Sequence, residues 1–324
     1  MTPKKKIPSV SQLPEGAESS YHQPVLLKEA LDGLRIRSDG IYVDCTFGGG
    51  GHSKAILGLL GEKGRLLAFD QDEDARSNLP NHPGVTFIPH NFRHIARFLR
   101  LEGLEKVDGI LADLGVSSHQ FDKAERGFST RFNADLDMRM DRRQPKTAFD
   151  VVQQYREPEL HRIFEQYGEV TNSKTLAKTI IEVRNQVSLR TVDGFKQALR
   201  AIVKGNPHKY FAQVFQALRI EVNDEMGALK ALLEQSPGLL NTGGRLAIIT
   251  FHSIEDRLVK NYFRKGTNEE TEVNPFLNVG PETPWKLVNK KPIVPGDEEL
   301  KSNPRSRSAK LRIAERKAES PRSN

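Results

Sequence analysis

The sequence predicts an α/β protein with a parallel sheet and a helical insertion, and three observations carry that prediction. Short apolar runs bounded by turn residues alternate with stretches of helical length. A four-glycine loop, Gly48–Gly51, joins the first apolar run to the first helical stretch. Between the fourth and fifth runs the rhythm gives way to polar sequence with apolar residues at helical spacing.

The strand candidates are Ile41–Asp44, Arg65–Asp70, Val85–Pro89, Val107–Asp113 and Arg245–Phe251. Their continuous apolar character suits strands covered on both faces. His52–Leu60, Glu73–Asn78 and Phe92–Glu102 have lengths that suit right-handed crossovers between them. From Ser129 to Gly205, Leu160, Ile163, Phe164 and Tyr167, then Leu176, Ile180 and Val183, mark amphipathic helices. The sheet pattern resumes with a long helix, Tyr210–Leu233, a turn at Asn241–Gly244 and the fifth strand. Residues 267–304 read as a long loop with a short strand near Trp285–Val288, and Ala309–Glu315 as a last strand. The expected domains are a tail at 1–20, a discontinuous α/β domain at 21–128 and 206–324, and a helical insertion at 129–205.

A chain of 324 residues exceeds the roughly 250–300 at which single cores stop growing, which agrees with an added unit. The formal net charge is +7, but it is unevenly placed. Residues 301–324 hold Lys301, Arg305, Arg307, Lys310, Arg312, Arg316, Lys317 and Arg322 against Glu315 and Glu319, while residues 21–300 are neutral. Any phosphate affinity is therefore expected around Arg305–Lys317. No apolar run approaches the ~18–20 residues of a membrane span. One cysteine, Cys45, excludes an internal disulfide, and Lys4–Lys6 lack the apolar stretch of a secretory signal, so a cytoplasmic protein is expected. The histidines lack metal-site spacing, so no structural metal is expected.

The loop following Asp44 opens a helix, where glycines let a ligand lie against the backbone and free N–H groups favour a negative group. The second strand ends at Asp70, whose carboxylate suits a ribose diol. Together these features describe a nucleoside-containing cofactor and leave its identity open. A dinucleotide fingerprint needs a third glycine where Ser53 or Lys54 stands, which weakens a nicotinamide reading. S-adenosylmethionine has no phosphate and asks only for backbone room, the ribose acid and groups for its amino-acid end. Asp44 would accept from its ammonium.

The fourth strand ends in Asp113-Leu114-Gly115-Val116-Ser117-Ser118, directed at the same crevice outside the strand ends. This segment, the Thr46–Ser53 loop, Glu125-Arg126-Gly127-Phe128-Ser129, Leu136-Asp137-Met138-Arg139-Met140-Asp141, and Phe251-His252-Ser253 with Glu255-Asp256-Arg257 resemble the bacterial 16S rRNA cytosine-N4 methyltransferase family (RsmH/MraW). Asn303–Ser308 and Leu311–Arg316 resemble its carboxyl end, so the resemblance runs from about Tyr21 to Lys317. Asn133-Ala134 departs from the family's usual Gly-Pro. The resemblance implies a Rossmann-like S-adenosylmethionine-dependent methyltransferase fold with a helical domain inserted after the fourth strand. It implies methylation of the exocyclic amine of a cytidine in the decoding region (P site) of 16S rRNA, within the small ribosomal subunit. The implied cofactor contacts are Gly50, Gly51, His52, Asp70, Phe92, Asp113 and Gln120, with Asp70 for the ribose and Phe92 as an apolar wall for adenine.

Cytosine's exocyclic nitrogen is a weak nucleophile, so the enzyme must align it and take up a proton. Asp113 is the expected catalytic residue. Phe121, Phe128 or Tyr21 are candidates for an aromatic wall against the base. Methylation at cytosine C5 would need a thiolate, and Cys45 lies instead beside the cofactor loop. Leu136–Asp141 reads either as a salt-bridged turn, with Arg139 between Asp137 and Asp141, or as an RNA contact. His252-Ser253 reads as a base contact or, through Ser253, as a helix cap. Two other classes stay open, an NAD(P)-dependent oxidoreductase and a non-catalytic rRNA-binding assembly factor. Monomer and homodimer are equally open.

Overall fold

The computed structural model describes residues 24–268 and 283–318. The expected tail at 1–20, Tyr21 and part of the 267–304 loop therefore lie outside the described residues. Helix α1 (Leu27–Leu34) leads into β1 (Ile41–Asp44), α2 (Gly51–Leu57), β2 (Arg65–Phe69), β3 (Val85–Ile88), α3 (Ile95–Leu101), β4 (Val107–Asp113) and α4 (Ser118–Asp122). Then come α5 (Ala148–Gln154), α6 (Glu157–Gln166), α7 (Ser173–Val183), α8 (Val192–Leu199), α9 (Pro207–Asn223) and α10 (Glu225–Leu239). The chain closes with β5 (Leu240–Thr250), α11 (Ser253–Lys265), β6 (Trp285–Leu287), α12 (Asp297–Ser302) and β7 (Lys310–Arg316).

The seven strands form one sheet in the order β3-β2-β1-β4-β5-β7-β6. Strands β1 to β5 are parallel, and β7 is antiparallel to both β5 and β6. Alternation along each strand supplies both faces. Val43, Leu67, Ile110, Ala112, Leu246 and Ile248 pack with residues of α3, α10 and α11. Tyr42, Leu66, Leu111, Ala247 and Ile249 pack with residues of α1, α2 and β7. The order reverses beside β1, between β2 and β4, which gathers the β1, β2 and β4 carboxyl ends at one crevice.

A third apolar cluster holds residues of α5 to α8 together with Tyr210, Phe211, Val214, Phe215, Leu218 and Val222 of α9. Packing thus runs past the expected boundary at 205, because α9 lays its apolar side into the inserted helices. The expected helix Tyr210–Leu233 is two helices, broken at Asp224 with φ 47°. Asp tolerates that left-handed conformation better than most residues. The expected turn at Asn241–Gly244 lies within β5 as a bulge: Leu240 and Arg245 pair with Val107 and Gly109.

Candidate functional site

The glycine loop is shaped by sterics and held by carboxylates. Gly50 has φ 76°, and a Cβ there would lie 2.9 Å from the Phe47 ring. A Cβ on Gly51 would collide with the Pro24 ring, so α2 begins where only glycine fits. Asp70, just past β2, accepts from the Gly48 N–H (2.7 Å) and the Asp72 N–H (2.8 Å), fastening the loop to the neighbouring strand. Burial pushes its carboxyl up to about 7. Gly48, Asp70, Asp72, Ala75, Asn78, Ser117 and His119 line a small cleft between the loop and the start of α4.

Asp44 stands beneath the loop rather than in the cleft. It is buried, and it accepts from Thr46 N–H (3.0 Å) and Ser53 Oγ–H (2.7 Å). Its carboxylate thus braces the turn from within the fold. His52 is buried with Nε2 3.0 Å from the Val25 carbonyl. Burial lowers its pKa, and a carbonyl only accepts, so the neutral ring carries its hydrogen on Nε2. Nδ1 then presents a lone pair toward Asp113 Oδ2, 3.7 Å away.

Asp113 ends β4, with its N–H donating to Thr46 Oγ1 (2.7 Å). Its Oδ1 is buried and has no hydrogen-bond partner among the described residues. Burial, then the charges of Asp44, Glu255 and Glu299, push its carboxyl well above the usual carboxylate range. An acid in that state calls for a cation or a hydrogen-bond donor. Gln120 is buried in α4, donating from Nε2 to Asp72 Oδ2 (2.8 Å) and accepting the Ser117 N–H at Oε1 (3.1 Å). Phe92 begins a 3-10 turn after β3 and packs partly against the core. Contacts thus link His52 to Asp113, and Gln120 through Asp72 to Asp70; of the expected site residues Asp70 lines the cleft itself, Gly50 and Gly51 begin α2 beside it, and Phe92 follows β3.

Sequence reasoning misses Asp72 and Ser117, although Asp72 follows Asp70 by two residues in a carboxylate pair the sequence displays. Phe128 is buried in the helical cluster and cannot face a base. Phe121 is partly buried, with the Arg305 guanidinium 5.3 Å from its ring. Arg139 pairs bidentately with Asp137 (2.8 Å each), and Asp141 pairs with Arg143 rather than Arg139. The Leu136–Asp141 segment is therefore a salt-bridged turn. His252, not Ser253, caps α11, and Ser253 Oγ donates to Glu169 of the inserted unit (3.1 Å). Asn133 Oδ1 accepts from the Asp193 N–H at the start of α8 (3.2 Å).

The basic carboxyl-terminal segment is also largely spoken for. Arg305 pairs with Asp122, Arg312 with Asp256, and Arg316 Nε donates to the Pro237 carbonyl (2.8 Å). Arg307 is exposed. Net charge counted along the sequence does not reveal that these cations fasten the last turn and strand to α4, α11 and α10. Cys45 is buried, and burial pushes its thiol well above its ordinary value, which argues against a thiolate nucleophile. Glu225, His252 and Glu255 form the one His/Asp/Glu/Cys cluster of metal-binding spacing among the described residues. Glu225 is bonded bidentately to Arg219 (2.8 and 3.0 Å), so that group is already neutralised.

A seven-stranded α/β sheet with a glycine loop after β1, an acid after β2 and a helical insertion after β4 defines a Rossmann-like methyltransferase fold. The chain belongs to the MraW methylase family, whose model matches residues 19–317. It is 54% identical over 305 residues to the ribosomal RNA small subunit methyltransferase H of Bacteroides thetaiotaomicron, covering 94% of this chain and all of that protein. The protein of the same name from Flavobacterium psychrophilum is 53% identical over 293 residues, covering 90% of this chain and all of its own length. A looser likeness joins the chain to an rRNA methylase structure from Streptococcus thermophilus, 12% identical with a TM-score of 0.35 over 90% of this chain and 94% of that one.

Proposed function

We propose that this chain is an S-adenosylmethionine-dependent methyltransferase that modifies the N4 exocyclic amine of a cytidine in the decoding region of 16S rRNA. The single observation that carries this reading is the family match across residues 19–317. The nicotinamide oxidoreductase and the non-catalytic assembly factor gain no support from it.

The residues present fit the cofactor. Bound S-adenosylmethionine supplies an activated methyl group on a positively charged sulfur. Asp70 retains lone pairs for a ribose diol, and those hydrogen bonds favour its charged form. Gly50, Gly51 and His52 border the methionine end, Phe92 offers an apolar surface to adenine, and Gln120 steadies the opposite rim through Asp72. Asp113 holds the one carboxylate oxygen in this crevice that is buried and without a partner among the described residues. A cation beside it favours the ionised form. Ionised Asp113 then accepts a hydrogen of the cytidine amine, drawing the nitrogen out of conjugation and toward the methyl.

The substrate is 16S rRNA within the small ribosomal subunit, with the target cytidine turned out of its stack. The helical unit inserted after β4 recognises the RNA. The protein acts in the cytoplasm, and among the described residues no helix is long and apolar enough to cross a membrane. Mass spectrometry of rRNA nucleosides from cells with and without the protein tests the reading. Loss of N4-methylcytidine is expected, and an unchanged level would refute it.

A further inference from the structure

Arg126 lies in the Glu125–Ser129 motif, outside the implied cofactor residues, in a 3-10 turn that follows α4. Its side chain is 1% exposed. The guanidinium reaches two regions at once. Nη1 lies 2.8 Å from Asp72 Oδ2 and 3.3 Å from Asp74 Oδ2, on the cleft side. Nη2 donates to the carbonyls of Arg139 (2.9 Å) and Met140 (3.1 Å), in the turn that leads into the inserted helices. The Phe128 ring lies 5.9 Å from its central carbon.

Each end is tied further. Asp72 Oδ2 also accepts from Gln120, and the Asp72 N–H donates to Asp70. On the other side the Met138 N–H donates to the Arg126 carbonyl (3.1 Å). There Asn223 of α9 accepts the Met140 N–H (2.7 Å) while donating to the Met138 carbonyl (2.8 Å). Planar, with donors on both edges, a guanidinium spans two such partners, whereas an ammonium is a point charge that serves one side at a time.

We infer that Arg126 is a positioning residue that couples the cofactor rim at Asp70–Asp74 to the 136–141 turn, so that S-adenosylmethionine binding orders the base of the RNA-recognition unit. This rests on the proposed cofactor site. A ligand that fixes Asp70 and Gln120 also fixes Asp72, and through Arg126 it fixes the carbonyls of Arg139 and Met140.

Hydrogen exchange on the intact protein, with and without S-adenosylmethionine, tests the coupling. In the wild type the cofactor is expected to slow exchange both at residues 70–74 and at residues 136–141. In Arg126→Lys, with its fold checked by circular dichroism, slowing is expected to persist at 70–74 and to vanish at 136–141, while cofactor affinity falls about tenfold. Equal slowing at 136–141 in the variant would overturn the coupling. Should the variant not fold, the wild type alone still decides: binding without slowing at 136–141 overturns the coupling and leaves the cofactor site standing. A wild type that binds no S-adenosylmethionine overturns both.

Discussion

Two regions of the molecule draw carboxylates out of water, and they treat them in opposite ways. Beside β7, burial pushes Asp256 of α11 up, yet the hydrogen bonds and charge of Arg312, with Lys310 beside it, outweigh burial and hold the carboxyl below its ordinary range. Glu315 is held down likewise, first by its hydrogen bond with Arg245. In the crevice, Asp70 and Asp113 are desolvated with no cation among the described residues to offset the cost, and both are pushed up. A paired acid has finished its work when the chain folds, whereas an unpaired one is held ready for a partner that arrives later.

Removing one acid from each region separates the two roles most strongly. Asp113→Asn is expected to lower methyl transfer to small-subunit rRNA by about 10²–10⁴-fold, the usual range for a proton acceptor, with the thermal midpoint unchanged or raised. Incorporation of label from S-adenosylmethionine, beside a melting curve, checks both halves. Asp256→Ala is expected to do the reverse, costing about 2–3 kcal/mol of stability because Arg312 is left without its carboxylate. Urea denaturation measures it, and cofactor affinity should stay the same.

The two regions should also answer to pH with opposite sign. Because the folded protein raises Asp70 to about 7, that group favours folding below the ordinary carboxylate range, and its contribution is lost as pH rises through about 7. For Asp256 the folded value is depressed, so its contribution is present above the ordinary range and lost as pH falls. Asp70→Asn should therefore flatten the ligand-free stability profile between about pH 4 and 7. Since a ribose diol donates to a carboxylate, wild-type cofactor affinity should fall by up to about tenfold per pH unit below 7, which calorimetry at several pH values would register. The smallest effect belongs to the exposed pair of Arg305 and Asp122: Arg305→Gln should cost under about 1 kcal/mol.

Much of this arrangement is legible in the sequence because it is local. Apolar runs ending in Asp44, Asp70 and Asp113 locate three strand ends, and four consecutive glycines locate the loop between the first strand and its helix. Contacts distant in sequence are not legible. Nothing local marks Asp224 as the left-handed break between α9 and α10, or shows that Asn241–Gly244 bulges out of a strand instead of preceding one. The pairings of the basic tail are hidden for the same reason, since Arg312 meets Asp256 across 56 residues and Arg305 meets Asp122 across 183. Arg126 stands inside a recognised motif, but its partners at Asp72 and Met140 emerge only once the chain is folded.

Whether the crevice holds an acid ready for its cofactor is read from the titration of the Asp113 carboxyl itself, followed by NMR on protein carrying ¹³C at the aspartate carboxyls and assigned with Asp113→Asn. Without cofactor the signal should titrate well above the ordinary carboxylate range, and saturating S-adenosylmethionine should move it down. An ordinary midpoint in the free protein, or one that the cofactor leaves in place, would show that the crevice does not hold Asp113 ready for a partner.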